Sequence, residues 1–198
     1  IEINEYPETL DKSNDKAINI LFVGRIARVR RIEILLQAVA KLSIPFHVTL
    51  VGGEEKTSSL SKWGYIDELK KLCKTLNITD RITFIGPVIQ SKLSNWYRKA
   101  DIFVYPSLYE NFGQPILEAA AVGLPVISTP VGVAKEIITD DETGFLINGD
   151  YQELADRITQ LANNDLRLKI GNALREKVRN LYGWQGIIDQ YMDVYKSL

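Results

Sequence analysis

The chain has 198 residues, 45% hydrophobic and 25% charged, the profile of one globular domain large enough for its own core. Its 24 basic and 25 acidic residues leave a formal net charge of -1, which argues against a nucleic-acid surface. No run approaches the ~18–20 apolar residues of a membrane-spanning helix, and no stretch reads as a signal peptide.

The first 17 residues are polar and read as an extended linker, and a start at Ile1 rather than Met reads as a fragment of something longer. Ile18–Val23 then reads as a strand. Arg31–Leu42 follows with apolar residues at Ile32, Leu35, Leu36, Val39 and Ala40, which is helical spacing. Phe46–Val51 is a second strand closed by Gly52-Gly53. Glu54–Trp63 is a polar, Ser/Lys-rich run expected to be an exposed loop. Ile66–Leu76 is a helix with Asn77 as its stop. Ile82–Ile85 is a third strand ended by Gly86-Pro87, followed by a helix over Ser91–Lys99 capped by Ser91. Ile102–Tyr105 is a fourth strand. Pro115–Ala121 is a helix closed by Gly123, and Val126–Ser128 a fifth strand. Lys135–Ile138 is a helical turn and Gly144–Ile147 a sixth strand. Helices over Tyr151–Asn163 and Asp165–Leu181 follow, and an amphipathic stretch from Trp184 to Leu198 ends the chain.

Strands alternating with helices imply βαβ units and a parallel sheet. Both faces of such a sheet are covered, so its strands read as near-continuous apolar runs. The expectation is an α/β fold over residues 18–198: a doubly wound, Rossmann-like parallel sheet of about six strands.

Ligands of such sheets bind beyond the carboxyl ends of the strands. Glycines fall there after the first, second, third and fifth strands, where they permit close backbone approach. Gly24–Arg31 carries Arg25, Arg28, Arg30 and Arg31 with no acid. Guanidinium forks suit phosphate oxygens, yet neither G-x-G-x-x-G nor G-K-[ST] is present. After the fourth strand, Pro115 suits a first helical turn and Gly113 a sharp bend before it. N–H groups of Asn111, Phe112 and Gly113 would then form an anion site at a helix N-terminus. Glu110 and Glu118 lie beside that site. Carboxylates repel phosphate and are better suited to accept hydrogen bonds from sugar hydroxyls. Cys73 is expected to be a half-buried, inert thiol, and a lone cysteine fits a reducing compartment. His47 falls within a strand and reads as structural; Asp140-Asp141 reads as an exposed turn rather than a metal site. Nothing marks Trp63, Tyr65 or Trp96 as functional.

The stretch Ser107–Gly123, followed by Pro125-Val126-Ile127-Ser128-Thr129, resembles the signature of retaining nucleotide-sugar glycosyltransferases of the GT-B fold, the family of glycogen synthases, sucrose synthases and many bacterial mannosyl- and glucosyltransferases. Glu110 and Glu118, with seven residues between them, match that family's glutamate pair. Gly24-Arg25-Ile26 with Arg30 resembles its phosphate-binding segment, and Thr143–Ile147 another family stretch. Trp184 sits where the family's closing helix begins. The likeness covers the chain from about Ile18 and implies the C-terminal, donor-binding half of a two-domain enzyme. An N-terminal acceptor-binding domain would lie elsewhere.

On this resemblance Arg25, Arg30 and Glu110 are the catalytic candidates. The two arginines would neutralise the donor diphosphate and Glu110 would contact the donor sugar. Gly24 belongs to the phosphate segment. Phe112 and Gly113 amides, beside Asn111, would hold the distal phosphate, and Glu118 the ribose. Gly86, Pro87 and Val88 would meet the base, and Thr129 would line the phosphate pocket. No cofactor and no metal are implied beyond the nucleotide-sugar donor; the reaction would retain the anomeric configuration, and the isolated domain would be inactive. The full-length enzyme would be cytoplasmic, with room for peripheral association at the inner membrane face. Two other functions fit the same residues: a non-catalytic nucleotide-sugar-binding or regulatory subunit, and a nucleotide-sugar epimerase of the same fold. Three positions depart from the family pattern: Arg30 stands for a usual Lys, Arg31 for a common glycine, and Asn111 for a glycine after the first glutamate.

Overall fold

A computed structural model describes residues 17–54 and 64–197. The first 16 of the 17 residues expected to form a linker, and all of the expected loop after Glu54 up to and including Trp63, lie outside the described residues.

Six strands form one sheet: β1 Ile18–Val23, β2 Phe46–Val51, β3 Ile82–Gly86, β4 Ile102–Tyr105, β5 Val126–Ser128 and β6 Phe145–Leu146. Their order is β3-β2-β1-β4-β5-β6, and every pairing is parallel. The order reverses between β1 and β4, which puts the crevice used by doubly wound folds at their carboxyl ends. The central strands β1, β4 and β5 are buried almost throughout, as covered parallel strands must be.

Helices α1 Ile32–Val39, α2 Tyr65–Thr75, α3 Gln90–Lys99, α4 Gln114–Ala121, α5 Ala134–Ile137, α6 Tyr151–Gln160, α7 Asn164–Tyr182 and α8 Trp184–Lys196 connect and follow the strands. The expected boundaries hold to a few residues, with physical reasons for the shifts. α1 begins after Arg31 because Arg31 is left-handed (φ 51°, ψ 42°). α2 stops where Asn77 takes a positive φ of 55°. α6 ends at Gln160 because Asn163 turns to cap α7, accepting from Leu166 N–H at 3.0 Å. Ser91 is not a cap: α3 starts at Gln90 after an extended Ile89, with no side-chain cap.

Glu54, read as the start of a loop, is half-buried and caps α2 from a distance. Its carboxylate accepts from the N–H groups of Gly64 (3.3 Å) and Ile66 (2.7 Å). His47 is structural, with Nε2 2.8 Å from Thr83 Oγ1. Asp140 and Asp141 both pair with Arg157. Cys73 is more deeply buried than expected, at 2% exposure, and burial pushes its thiol pKa up. Among the described residues no helix is long and apolar enough to cross a membrane.

Candidate donor-binding site

A cleft of about 320 Å3 opens beyond the carboxyl ends of β1, β2 and β3, beside the first turns of α4. β1 supplies Val23, Gly24 and Arg25, and β2 supplies Val51, Gly52 and Gly53. Pro87 and Val88 follow β3, and Gln90 and Leu93 come from α3. Gln114, Pro115 and Glu118 of α4 close the wall. The floor requires glycine at one point above all. Gly52 has φ 138°, and a Cβ there would land on the Gly24 carbonyl, so two strand ends meet backbone to backbone.

Glu118 is only 2% exposed although its position borders this cleft. A buried carboxylate needs hydrogen-bond donors, and three supply them. Tyr97 Oη donates to Oε2 at 2.8 Å; Gln90 and Gln114 both donate to Oε1, at 2.7 and 2.9 Å. Gln114 stands one turn before Glu118 on the same helix, whereas Tyr97 and Gln90 arrive from α3.

The four arginines of the loop after β1 part company. Arg28 bonds Glu68 and lies over the Tyr65 ring, while the Tyr65 hydroxyl bonds Glu33 and accepts from Ile32 N–H. Arg31 donates to the Gly149 carbonyl at 2.9 Å. Arg25 lines the cleft. Arg30, with its side chain 12% exposed, turns toward the loop after β4. Its Nη1 donates to Ser107 Oγ (3.0 Å) and the Tyr109 carbonyl (3.0 Å) and pairs with Glu110 Oε2 at 2.7 Å. The same Glu110 oxygen accepts from the Tyr105 hydroxyl at 2.7 Å, and the Tyr105 ring lies 5.4 Å from the Arg30 guanidinium carbon.

Burial disfavours the charged form of Glu110. The Tyr105 hydroxyl, the Arg30 charge and the N–H groups of Asn111 and Phe112 outweigh it and hold the carboxyl below its ordinary range. Burial drives the Tyr105 phenol far above its usual value, and the hydrogen bond to Glu110 adds to this against the opposing pull of Arg30.

The expected site residues thus fall into two groups. Gly24, Arg25, Pro87, Val88 and Glu118 share the cleft. Arg30, Glu110 and Asn111 form the second cluster, beyond β4. Gly86 is not on the cleft wall; its carbonyl accepts from Gly52 N–H at 2.9 Å and joins the strand ends. Gly113 starts α4 at φ 90°. The expected anion site is modified: the N–H groups of Asn111 (2.9 Å) and Phe112 bond the Glu110 carboxylate. Thr129 is 5% exposed and spends its hydroxyl on the Ser107 carbonyl, so it braces the loop instead of lining the cleft. Phe112 is exposed and meets Tyr182 edge-on at 6.4 Å. Ser107 and Gln114 lie in the stretch that carried the resemblance but had no role of their own there. Gln90, Tyr97 and Tyr105 were missed, and of these only Tyr105, a polar-tipped residue ending a buried strand, carried a local signal.

This arrangement is a doubly wound α/β domain with glycine strand ends, a cleft arginine and one buried carboxylate, Glu118, at the switch point. Residues 5–180 match the family "Glycosyl transferases group 1", and the chain belongs to that family. It is 35% identical over 187 residues to the D-inositol 3-phosphate glycosyltransferase of Thermomonospora curvata, covering 89% of this chain and 42% of that protein. Over 147 residues it is 37% identical to the enzyme of the same name from Mycolicibacterium smegmatis, covering 74% of this chain and 33% of that protein. The chain therefore spans about two-fifths of the curated relatives it matches, or less. Among solved structures, sucrose-phosphate synthase of Thermosynechococcus elongatus aligns with TM-score 0.83 and 30% identity, over all of this chain and 50% of that one. The C-terminal domain of the group 1 glycosyl transferase LpcC from Francisella tularensis aligns at 0.82 and 27%, over 93% of this chain and 100% of that one. The fold is that of the C-terminal half of GT-B glycosyltransferases.

Proposed function

We propose that residues 18–198 are the donor-binding domain of a retaining glycosyltransferase that takes a sugar from a nucleoside-diphosphate sugar. The observation that carries this reading is the convergence of Gly24, Arg25, Val88 and Glu118 on one cleft at the sheet's switch point, beside the Arg30–Glu110 pair. The base and ribose would enter the cleft, with Glu118 accepting a hydrogen bond from the ribose. Arg25 would face the diphosphate. Arg30 and the N-terminus of α4 would meet the negative charge that grows on the leaving diphosphate, and preorganised donors of this kind lower the barrier. These groups would serve where other transferases use a metal ion. Glu110 would hold the sugar hydroxyls while an acceptor oxygen attacks from the face the diphosphate leaves. The acceptor would be bound by an N-terminal domain outside this chain, so this chain alone binds donor and transfers nothing.

Calorimetry with UDP, GDP and ADP tests the reading. Binding of at least one is expected, and no heat with any of them at millimolar concentration sinks it. Arg25→Ala is expected to weaken nucleoside diphosphates far more than the matching nucleosides; equal losses would remove Arg25 from the phosphate role.

A further inference from the structure

Arg30 and Glu110, besides their loop contacts and each other, share one further neighbour, Tyr105. The Tyr105 hydroxyl reaches Glu110 Oε2 at 2.7 Å, and its ring lies 5.4 Å from the guanidinium carbon of Arg30. Glu110 would otherwise be held by Arg30 and the neighbouring backbone N–H groups alone, and Arg30 must also serve a phosphate. With Tyr105 on Oε2 and Asn111 N–H on Oε1, both carboxylate oxygens are anchored from opposite ends.

The tyrosine itself is tightly packed. It is 1% exposed and ends β4. Phe22 stacks on it at 5.7 Å with planes 10° apart, and Phe103 at 6.0 Å with planes 16° apart. Its carbonyl accepts from Ser128 Oγ at 3.1 Å and Thr129 N–H at 3.3 Å. A side chain locked in this way transmits the geometry of the sheet to the loop it touches.

We infer that Tyr105 is a positioning residue for glycosyl transfer: its hydroxyl orients the Glu110 carboxylate toward the donor sugar while its ring supports the Arg30 guanidinium at the diphosphate. The inference rests on the donor reading above. The charged and titratable groups facing Glu110 are Arg30, from the turn after β1, and Tyr105 itself; Arg25 also acts on the Tyr105 phenol. Deleting the hydroxyl removes one of the influences that keep Glu110 ionised, so the carboxyl then protonates at higher pH.

The test uses the 198-residue chain with UDP, UDP-glucose, GDP and GDP-mannose as probes, measured by calorimetry from pH 4 to pH 8. Tyr105→Phe keeps the ring and removes only the hydroxyl. It is expected to bind the nucleoside diphosphate within about twofold of wild type but the matching nucleotide sugar roughly tenfold more weakly, the scale of one hydrogen bond to a charged group. The acid-side midpoint of nucleotide-sugar binding is expected to move to higher pH. Tyr105→Leu, which also removes the ring from beneath Arg30, is expected to weaken both ligands. A carboxyl-carbon NMR titration of Glu110 in wild type and Tyr105→Phe reads the same effect without ligand, and a raised midpoint is expected. Unchanged nucleotide-sugar affinity together with an unchanged Glu110 midpoint in Tyr105→Phe overturns the inference. Glu110→Gln separates the two levels. If it weakens nucleotide-sugar binding while Tyr105→Phe is silent, the positioning role fails and the donor reading stands. If no probe binds the wild-type chain, the donor reading fails and takes the positioning role with it.

Discussion

Glu118 carries a stability consequence independent of any ligand. Glu118→Ala removes the acceptor of the Tyr97 hydroxyl and of the Gln90 and Gln114 amides. The two glutamines line the cleft and find water there. Tyr97 is fully buried, so losing its bond to a charged acceptor costs about 1.5–3 kcal/mol. Relief of the desolvated carboxylate and the high helix propensity of alanine offset part of this. A net loss of about 2 kcal/mol is expected, a fall in Tm of roughly 4–8 °C for a domain of this size. Glu118→Gln, which keeps one oxygen acceptor and the volume, is expected to lose less. Urea unfolding of the ligand-free chain measures both. Alanine as stable as wild type to within about 0.5 kcal/mol, or glutamine worse than alanine, would refute the account of Glu118 as a structurally anchored carboxylate.

Arg31 is left-handed at φ 51° and bonds the Gly149 carbonyl. Arg31→Gly relieves about 1 kcal/mol of backbone strain while losing the bond, whereas Arg31→Ala keeps the strain and loses the bond; alanine is expected to be the less stable variant, and the reverse order in thermal unfolding would exclude this account. The folded-state pKa of Glu110 is depressed, so its stabilising contribution is present above the unfolded value of about 4.3 and is lost as pH falls through the folded value. Wild type should therefore exceed Glu110→Gln in stability at pH 7, and the gap should close on acidification below about pH 4; a gap constant with pH would contradict this. Cys73, buried and with its thiol pKa raised, is expected to resist a thiol reagent in the native chain and to react on unfolding; fast native labelling would show the α2 packing to be wrong.

Architecture was legible because burial on both faces leaves a parallel strand little choice of residue. β1, β2, β4 and β5 occupy the spans their apolar runs marked. Helix ends were less legible, because they depend on single backbone conformations. The shared glycine signal for close approach was realised most sharply at Gly52, while the glycine common in the family at position 31 is explained by a left-handed backbone that arginine adopts here.

The site divided differently. Its chemistry was written locally: arginines after β1, and two glutamates either side of a helix start. The partners of those charges were not. Arg30 meets Ser107 across 77 residues, Arg31 meets Gly149 across 118, and Glu118 meets Tyr97 across 21. Four arginines in eight residues look equivalent in the sequence, yet only Arg25 lines the cleft. The sequence by itself determined the strands, their covered sheet and the kind of ligand the charges suit. Tertiary structure alone decided which of these charges line the cleft and which neighbours each of them meets. In a parallel sheet, strand ends that are neighbours in space are separated by whole crossover connections, and no local pattern records which side chains those connections bring together.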